Sequence, residues 1–435
     1  MFSDGGGEKM TSCSACSAQG TCVSAHRSTN EMYDRTRAMG LATIFDRYEA
    51  QQPQCGFGMQ GVCCQLCSHG PCRITKKTDV AICGATADTI VARNLVRLDV
   101  GEKVARLDNG ARLKYDRLFI STGSSTFMPP VPGITGEGVY GLRTLEDAKK
   151  ILAQAGRARR AVIIGGGFVG LEAAWALYHR GLEVTVVEKM PQILPQQFDA
   201  CAAAILLREM QAEGIRFILG AGIKEIAAPG LWEKVFGKAG RGVILENGDH
   251  LKAELVIVAT GTRANTGLVE GTGVKVNLGI VVDKYQSTGM EGVYAGGDVA
   301  ETEDVVSGRI GLTPIWPNAV AQGRVAGYNM AGIPREYGGM IGMQNAVEFR
   351  DVPAIAVGLA QADGDGYEIL KEYRPEHNLY KKIVLKDDII VGLILVGDIR
   401  QAGVYSALMR KKAKVTRLKH RLLRPDFGYG QVLCA

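Results

Sequence analysis

Four cysteines near the start of the chain have the residue type and spacing of an iron–sulfur site. They form the pattern C-x2-C-x4-C-x10-C and are Cys64, Cys67, Cys72 and Cys83. Thiolate sulfur binds zinc or iron–sulfur clusters in preference to ions that favour oxygen. Small Gly70 and rigid Pro71 lie in the same loop. The pattern predicts one [4Fe-4S] cluster, with a structural zinc site as the alternative.

Two further cysteines, Cys55 and Cys63, suggest a second centre. Cys63 adjoins Cys64, and neighbouring side chains point apart, so we expect Cys63 to face another centre together with Cys55. Two ligands are half of a four-thiolate site, and a two-fold axis would supply the other half from a second copy of the chain. The count therefore predicts a homodimer with a shared cluster. The remaining five cysteines, Cys201 among them, have no assigned role.

A second chemical motif lies further along the chain, where Gly165, Gly167 and Gly170 form a G-x-G-x-x-G loop. Apolar β-branched residues precede the loop, a helical pattern follows it, and a second strand ends at Glu188. In this context the loop binds a dinucleotide and the acid accepts a ribose hydroxyl. Because Glu188 would repel a 2′-phosphate, the sequence favours NADH over NADPH, although Lys189 adjoins it.

An earlier glycine triplet, Gly56, Gly58 and Gly61, has the same spacing without the same context. The residues before it, Glu49 to Cys55, are not an apolar strand, and cysteines surround it. We therefore interpret these glycines as part of the cysteine loop and not as a nucleotide site.

Composition indicates a globular protein of two or three domains. The chain has 435 residues, 46% of them hydrophobic, and carries 56 glycines, which suggests many tight strand-to-helix turns. The net charge of +6 is mild, and the basic run from Arg410 to Arg421 is interpreted as a solvated helix face, with an acidic partner or nucleic acid as alternatives. The longest apolar run, Ile389 to Val396, is too short for a bilayer. We expect a cytoplasmic protein with reduced cysteines and neither a membrane nor a nucleic-acid partner.

The elements that would position these motifs follow from alternation and turn residues. A hairpin is predicted around 108–110, and a buried strand leads into a turn at Thr122 and Gly123. The strand-into-Thr-Gly pattern recurs before Gly261, and a further strand ends at Gly297 and Asp298. Apolar strands on both sides of 387–388 predict a C-terminal sheet.

These patterns resemble the FAD-dependent pyridine nucleotide oxidoreductases of the NADH oxidase and rubredoxin reductase type over residues 98–435. The resemblance implies that Asp298 bonds the FAD ribityl chain and that Glu172 packs near the contact between flavin and nicotinamide. It also implies a C-terminal interface domain that packs against the flavin domain and often against a second subunit. The turn residues Thr122, Gly123, Gly261 and Gly297 match the family's flavin-binding pattern.

The cysteine-rich segment, residues 28–97, resembles the N-terminal part of the anaerobic nickel-iron carbon monoxide dehydrogenases. Two of the stretches that carry this resemblance are Gly70-Pro-Cys-Arg-Ile74 and Ile82-Cys-Gly-Ala-Thr86. The resemblance implies a subunit-bridging cluster on Cys55 and Cys63 and an internal cluster on the other four cysteines. The later ligands of that family's nickel-iron site have no counterpart here, so carbon monoxide oxidation is not expected.

The fold class predicted is α/β. A Rossmann-like NAD domain (124–262) is inserted in a partial FAD domain (98–123 and 263–334). A small α+β interface domain (335–435) follows, and a cysteine-rich helical and loop iron–sulfur segment (1–97) precedes. The sequence before residue 98 has no strand, glycine loop and helix of the kind that opens an FAD domain, which suggests a join of two genes.

The predicted function is a flavin-dependent oxidoreductase that passes electrons from NADH through FAD to iron–sulfur centres or a redox partner. Ferredoxin, rubredoxin or a carbon monoxide dehydrogenase are the partners considered. Two alternatives stay open: a truncated carbon monoxide dehydrogenase-like electron-transfer module, and a non-catalytic NAD-binding fusion product.

Overall fold

The computed structural model describes residue 38 and residues 95–99, 102–107, 111–228, 241–342 and 344–433. The chain divides into two units, Met1–Arg97 with Arg106–Arg112 and Leu98–Ala105 with Leu113–Ala435. In the first unit the N–H of Leu107 donates to the carbonyl of Ala111 at 2.9 Å. This bond lies beside the hairpin predicted around 108–110, residues that are outside the described part. Apart from β1, β2 and β3, which have residues in the first unit, the strands, helices, cores and sites below belong to the second unit.

The first half of the described chain begins and ends with strands, and strands and α-helices alternate between residues 139 and 219. Its strands are β1 (Leu95–Asp99), β2 (Val104–Leu107), β3 (Arg112–Lys114), β4 (Leu118–Ile120), β5 (Ser124–Thr126), β6 (Val139–Gly141), β7 (Arg160–Ile164), β8 (Glu183–Glu188), β9 (Arg216–Leu219), β10 (Ile223–Ala227), β11 (Arg241–Leu245), β12 (His250–Ala253), β13 (Leu255–Val258) and β14 (Thr262–Ala264). Its α-helices are α1 (Leu145–Ala155), α2 (Phe168–Tyr178) and α3 (Ala200–Glu213).

The second half is richer in antiparallel strands. Its strands are β15 (Ile280–Val281), β16 (Val293–Ala295), β17 (Ala300–Glu303), β18 (Ile310–Leu312), β19 (Gln344–Phe349), β20 (Val352–Gly358), β21 (Glu368–Arg374), β22 (Leu379–Lys386) and β23 (Ile389–Val396). Its α-helices are α4 (Trp316–Met330), α5 (Ala402–Arg410) and α6 (Tyr429–Leu433). Short 3₁₀ turns cover Gly267–Val269, Pro375–His377 and Lys419–Arg421. Among the described residues, no helix combines the length and the apolar character that crossing a bilayer requires.

Five parallel strands in the order β6-β13-β7-β8-β9 form the central sheet. Both faces of this sheet are covered, and its inner strands β7, β8 and β13 are accordingly buried over most of their length instead of at every second residue. On β7, Ala161 and Ile163 belong to the core shared with α2 and α3. Val162 and Ile164 point the other way, into the core shared with the antiparallel β10-β11-β12 sheet. The predicted strand–loop–helix–strand unit is thus present at β7, α2 and β8.

Three small sheets are formed by strands that lie in or next to the predicted flavin segment, residues 98–123 and 263–334. Strand β4 pairs in parallel with β16, β5 pairs antiparallel with β14, and β15-β17-β18 form a three-stranded sheet. The predicted strand before Thr122 is present as β4. However, only Ile120 of it is buried, and its described neighbour in the sheet is β16 alone.

The C-terminal sheet has the order β19-β20-β23-β22-β21 and is antiparallel. Its outer face and α5 share one core, with Val305 and Val306 of the predicted flavin segment packed against it. The inner face packs on α2 and α3, where the Trp175 and Phe349 rings lie 5.6 Å apart. The sequence predicts packing of this sheet against the flavin domain; the structure shows that its inner face also packs against α2 and α3.

Candidate functional site

The three glycines of the G-x-G-x-x-G loop lie between β7 and α2, each in a different environment. Gly165 has φ +109°, and a Cβ there would come within 2.5 Å of the Ala259 carbonyl oxygen on the neighbouring strand segment. A Cβ at Gly170 would overlap the Gly165 carbonyl oxygen, so this glycine lets the helix pack on the loop. Gly167 has nothing within 4 Å of its Cβ position. Packing therefore requires glycine at positions 165 and 170, whereas Gly167 leaves open space.

Glu188 closes this site from the end of β8. Its carboxylate accepts the backbone N–H of Gly166 at 2.7 Å and that of Met190 at 2.8 Å. The side chain is buried, with 9% of the residue exposed. The carboxylate therefore ties the glycine loop to the end of the next strand, and its remaining lone pairs can accept further donors.

The geometry of this site fits an adenine dinucleotide. Gly167 is the N-cap of α2, and within the described residues no side-chain hydrogen bond caps this end of the helix. The first-turn N–H groups and the helix dipole there favour an anion such as a diphosphate. Gly167 gives a diphosphate room to approach the backbone, and Glu188 lies where a ribose hydroxyl donor is expected.

A second group of predicted residues meets where β4 leads into β5. The Thr122 hydroxyl donates to the Asn265 carbonyl at 2.6 Å, and the Asn265 side-chain amide donates to the Thr122 carbonyl at 2.9 Å. Gly123 follows with φ +69°, and its Cβ position has nothing within 4 Å. The Asn265 N–H donates to the Gly123 carbonyl. The turn is fixed by Asn265 and is open on its glycine side.

Asp298 joins this group because β4 and β16 are parallel, so their carboxyl ends share one edge. Its carboxylate accepts the Ser124 hydroxyl at 3.3 Å and a short bond from the Arg143 guanidinium. The preceding Gly297 has φ +79°, a conformation that favours glycine. A partly buried carboxylate beside an open turn fits the hydroxyl-rich chain of a flavin cofactor.

Gly261 and Glu172 lie apart from these residues. Gly261 has φ +107° and sits at the far end of the β5–β14 ladder, where its carbonyl accepts the N–H of Phe127. Glu172 lies on α2, the helix that begins at the glycine loop, and is exposed as a residue. Partial desolvation of its carboxyl raises the pKa of Glu172 above the ordinary value.

Sequence reasoning missed three polar residues of the second group, Ser124, Arg143 and Asn265. Arg143 is 155 positions from Asp298 and Asn265 is 143 from Thr122, so no local pattern joins them. A weak signal existed for Asn265, since it directly follows the strand after the second Thr-Gly turn.

The six cysteines predicted as iron–sulfur ligands lie outside the part of the chain that the structure describes. They are Cys55, Cys63, Cys64, Cys67, Cys72 and Cys83. Within the part of the chain that the structure does describe, no group of three or more His, Cys, Asp or Glu side chains could hold a metal ion. The predicted iron–sulfur sites are therefore not tested by this structure.

Two protein-family models match the chain. The model for pyridine nucleotide-disulphide oxidoreductases matches residues 37–323, and the model for the C-terminal domain of rubredoxin NAD⁺ reductase matches residues 345–413. The first match begins well before residue 98, where the sequence analysis placed the start of the flavoprotein part. Together the two models cover most of the chain.

Curated relatives agree with these matches. The assimilatory nitrate reductase electron transfer subunit of Bacillus subtilis is 30% identical over 333 residues. These are 76% of this chain but 41% of the relative, so the chain spans about two fifths of that relative's length. The epsilon subunit of the NADH-dependent phenylglyoxylate dehydrogenase of Aromatoleum evansii is 31% identical over 340 residues, which are 78% of each chain.

A solved structure shares the fold. The NAD-dependent persulfide reductase from A. fulgidus superposes with a TM-score of 0.67 and 28% identity, covering 74% of this chain and 63% of that one. This likeness is consistent with the Rossmann-type α/β arrangement of the described sheet and helices. The chain therefore belongs to the pyridine nucleotide-disulphide oxidoreductase family.

Proposed function

We propose that this chain is a flavin-dependent oxidoreductase that takes electrons from NADH and passes them through FAD to a redox partner. The observation that carries the proposal is the site at Gly165, Gly167, Gly170 and Glu188, whose backbone and carboxylate fit NAD(H) in a chain of this family. The names of the two curated relatives, an electron transfer subunit and a subunit of an NADH-dependent dehydrogenase, support the same reaction class.

The residues divide into two roles. The glycine loop and Glu188 would bind and orient NADH, and the family resemblance assigns Glu172, on the following helix, to the contact between flavin and nicotinamide. Thr122, Gly123, Gly297 and Asp298 would hold the flavin, with Gly261 at the other end of the same two-stranded ladder. FAD, when bound, supplies the change from a two-electron donor to one-electron acceptors, while the protein supplies position and charge.

This division of roles follows the domains that we propose. An NAD domain at 124–262 is inserted in an FAD domain at 98–123 and 263–334, and an interface domain covers 335–435. All eight strands from β6 to β13 fall inside the proposed NAD domain; five of them, β6, β7, β8, β9 and β13, form the parallel sheet next to the glycine loop. Residues 1–97 would be a separate electron-carrying segment.

The iron–sulfur part of the proposal rests on sequence. The spacing of Cys64, Cys67, Cys72 and Cys83 supports one [4Fe-4S] cluster, and Cys55 with Cys63 supports another shared across a homodimer. The resemblance to the carbon monoxide dehydrogenase segment supports the same arrangement. Electrons would leave through these centres to a small redox protein such as ferredoxin or rubredoxin, or to a carbon monoxide dehydrogenase.

A visible spectrum of protein purified without oxygen, with flavin and iron measured, tests the proposal. We expect close to one flavin per chain and loss of the flavin absorption when NADH is added. Iron without flavin would favour the electron-transfer module. NADH binding without either chromophore would favour a non-catalytic NAD-binding protein.

The homodimer is tested separately. Light scattering on the same preparation should give the mass of two chains, and chelation of iron should weaken the dimer if a cluster bridges it. A dimer that keeps its mass after iron removal would contradict the shared cluster and leave the NADH and flavin sites as proposed.

A further inference from the structure

Helix α4 buries its polar side. The buried residues Asn318, Gln322, Ala326 and Asn329 are spaced by four, four and three positions, which places them on one helix face. Trp316, by contrast, is 80% exposed. A surface helix normally buries its apolar face, and a buried amide without partners is destabilising. The three amides must therefore each be matched by specific partners.

Each buried amide does bond a different segment. The Asn318 side chain donates to the Thr313 carbonyl at 2.9 Å, close to the start of α4. The Asn329 side chain donates to the Arg335 carbonyl at 2.7 Å, beyond the helix end, and to the Tyr285 carbonyl at 3.1 Å. Asn318 therefore fastens α4 to the chain next to its start, and Asn329 fastens it to the chain beyond its end and to Tyr285.

Gln322 instead reaches the predicted flavin turn. Its side-chain oxygen accepts the backbone N–H of Gly297 at 2.6 Å, and its side-chain nitrogen donates to the Thr302 hydroxyl at 3.1 Å. Gln322 is wholly buried. Of the three amides, it alone bonds the turn that carries Asp298.

The packing around this turn leaves it little freedom. A Cβ at Gly297 would lie 3.6 Å from the Ala319 side chain, and one at Gly296 would lie 3.3 Å from the Gln322 side chain. The turn therefore rests directly on α4. Gly297, with φ +79°, directly precedes Asp298, so the orientation of this turn sets the direction of the Asp298 carboxylate.

We propose that Gln322 is a positioning residue for Asp298: it fixes the Gly297 turn so that the carboxylate faces the flavin site beside Ser124 and Arg143. The inference rests on the proposed flavin function and adds a residue to it. An amide suits this role because it accepts the Gly297 N–H and donates to Thr302 at the same time. Glutamate would keep only the acceptor at neutral pH, and leucine would keep neither.

The variants Gln322→Leu and Gln322→Glu test the proposal in the full chain. FAD is titrated into flavin-free protein and followed by flavin fluorescence, and NADH affinity is measured on the same samples. We expect Gln322→Leu to weaken FAD binding about tenfold with NADH affinity unchanged, and Gln322→Glu to recover part of the loss. The control Asn329→Leu removes a buried amide from the same helix face and should lower thermal stability without a selective loss of FAD affinity.

Amide hydrogen exchange supplies a readout that does not need flavin. Gln322→Leu should speed exchange at Gly297 and Asp298 while the glycine loop at 165–170 exchanges as before. Unchanged exchange at Gly297, or equal FAD losses in Gln322→Leu and Asn329→Leu, would overturn the positioning role. If the parent protein binds no FAD, the proposed function fails, and the exchange rates still decide whether Gln322 holds the turn.

A double variant separates positioning from general support. If Gln322 acts through Asp298, Gln322→Leu should weaken FAD binding little further once Asp298→Asn is present. Fully additive losses would show that Gln322 affects the flavin by another route and would overturn the proposal.

Discussion

The Glu188 carboxylate holds the glycine loop through the Gly166 N–H at 2.7 Å, so the residue that would recognise the coenzyme also shapes the loop that would cradle it. A second oxygen of the same carboxylate holds Met190. Both functions depend on two acceptor oxygens and a negative charge. Recognition and loop support are thus coupled in one side chain.

Glu188→Gln should therefore weaken NADH binding by about tenfold, because an amide offers one acceptor to two backbone N–H donors and loses the charge. NADPH affinity should fall less or rise, because the repulsion toward a 2′-phosphate is removed. Fluorescence titration with both coenzymes measures the ratio. Glu183→Gln is the matched control, since Glu183 begins the same strand, is exposed and pairs with Arg159. Equal losses for the two coenzymes would show that Glu188 supports the loop without discriminating between them.

Two alanine substitutions separate packing from coenzyme space. Gly170→Ala would place a methyl group against the Gly165 carbonyl oxygen and should lower the free energy of unfolding by about 1–3 kcal/mol. Gly167→Ala meets open space at φ −80°, so stability should be unchanged while NADH affinity falls about tenfold. Urea unfolding and NADH titration measure the two effects. Wild-type NADH affinity in Gly167→Ala would place the coenzyme elsewhere.

The nucleotide-binding unit could be predicted from sequence because its information is local. The apolar run at β7, the glycine spacing and the acid at Glu188 lie within 30 residues, and periodicity alone places them on strand, loop and helix. The structure confirms these elements.

The flavin-side group could be predicted only in part. The turns at Thr122 and Asp298 follow recognisable strands, yet the partners that fix them, Arg143 and Asn265, come from distant strands and loops.

The packing of the C-terminal sheet could not be predicted either. Its strands β22 and β23 are buried along nearly their whole length, including Lys381 and Lys382. Which helices cover such a sheet depends on tertiary packing, which alternation does not encode.

The cysteine segment and the NADH site should be separable by mutation. Cys64→Ser is expected to lower the iron content of protein purified without oxygen and to leave NADH affinity unchanged, because Cys64 lies in the predicted cluster loop and not near the glycine loop in sequence. Cys201→Ser is the control, since Cys201 is a partly buried free thiol on α3 and should affect neither quantity. Parallel loss of iron and NADH binding in Cys64→Ser would contradict the division into two modules.

An ion pair at the C-terminal sheet, between Lys381 and Asp398, should make the free energy of unfolding depend on pH. The Lys381 side chain is 2% exposed, and its Nζ lies 3.4 Å from the Asp398 carboxylate. It also bonds the Gln401 side chain at 2.9 Å. The hydrogen bond from Arg400, and then the charge of Lys381, hold the pKa of Asp398 well below its ordinary value. The Asp398 carboxyl is thus ionised in the folded protein at neutral pH.

Asp398→Asn should lower the free energy of unfolding by about 3 kcal/mol near neutral pH, because it leaves the Lys381 charge buried without a counter-charge. A carboxyl whose folded pKa is depressed contributes stability above its unfolded pKa of about 4, and that contribution is lost as the pH falls toward the folded value. The difference between the parent and Asp398→Asn should therefore narrow between about pH 4 and pH 2.5 in urea unfolding experiments. Arg400→Gln, which alters the exposed partner of the same carboxylate, should lower the free energy of unfolding less than Asp398→Asn does. A difference that stays constant down to about pH 2.5 would mean that the ionisation of Asp398 does not stabilise the sheet.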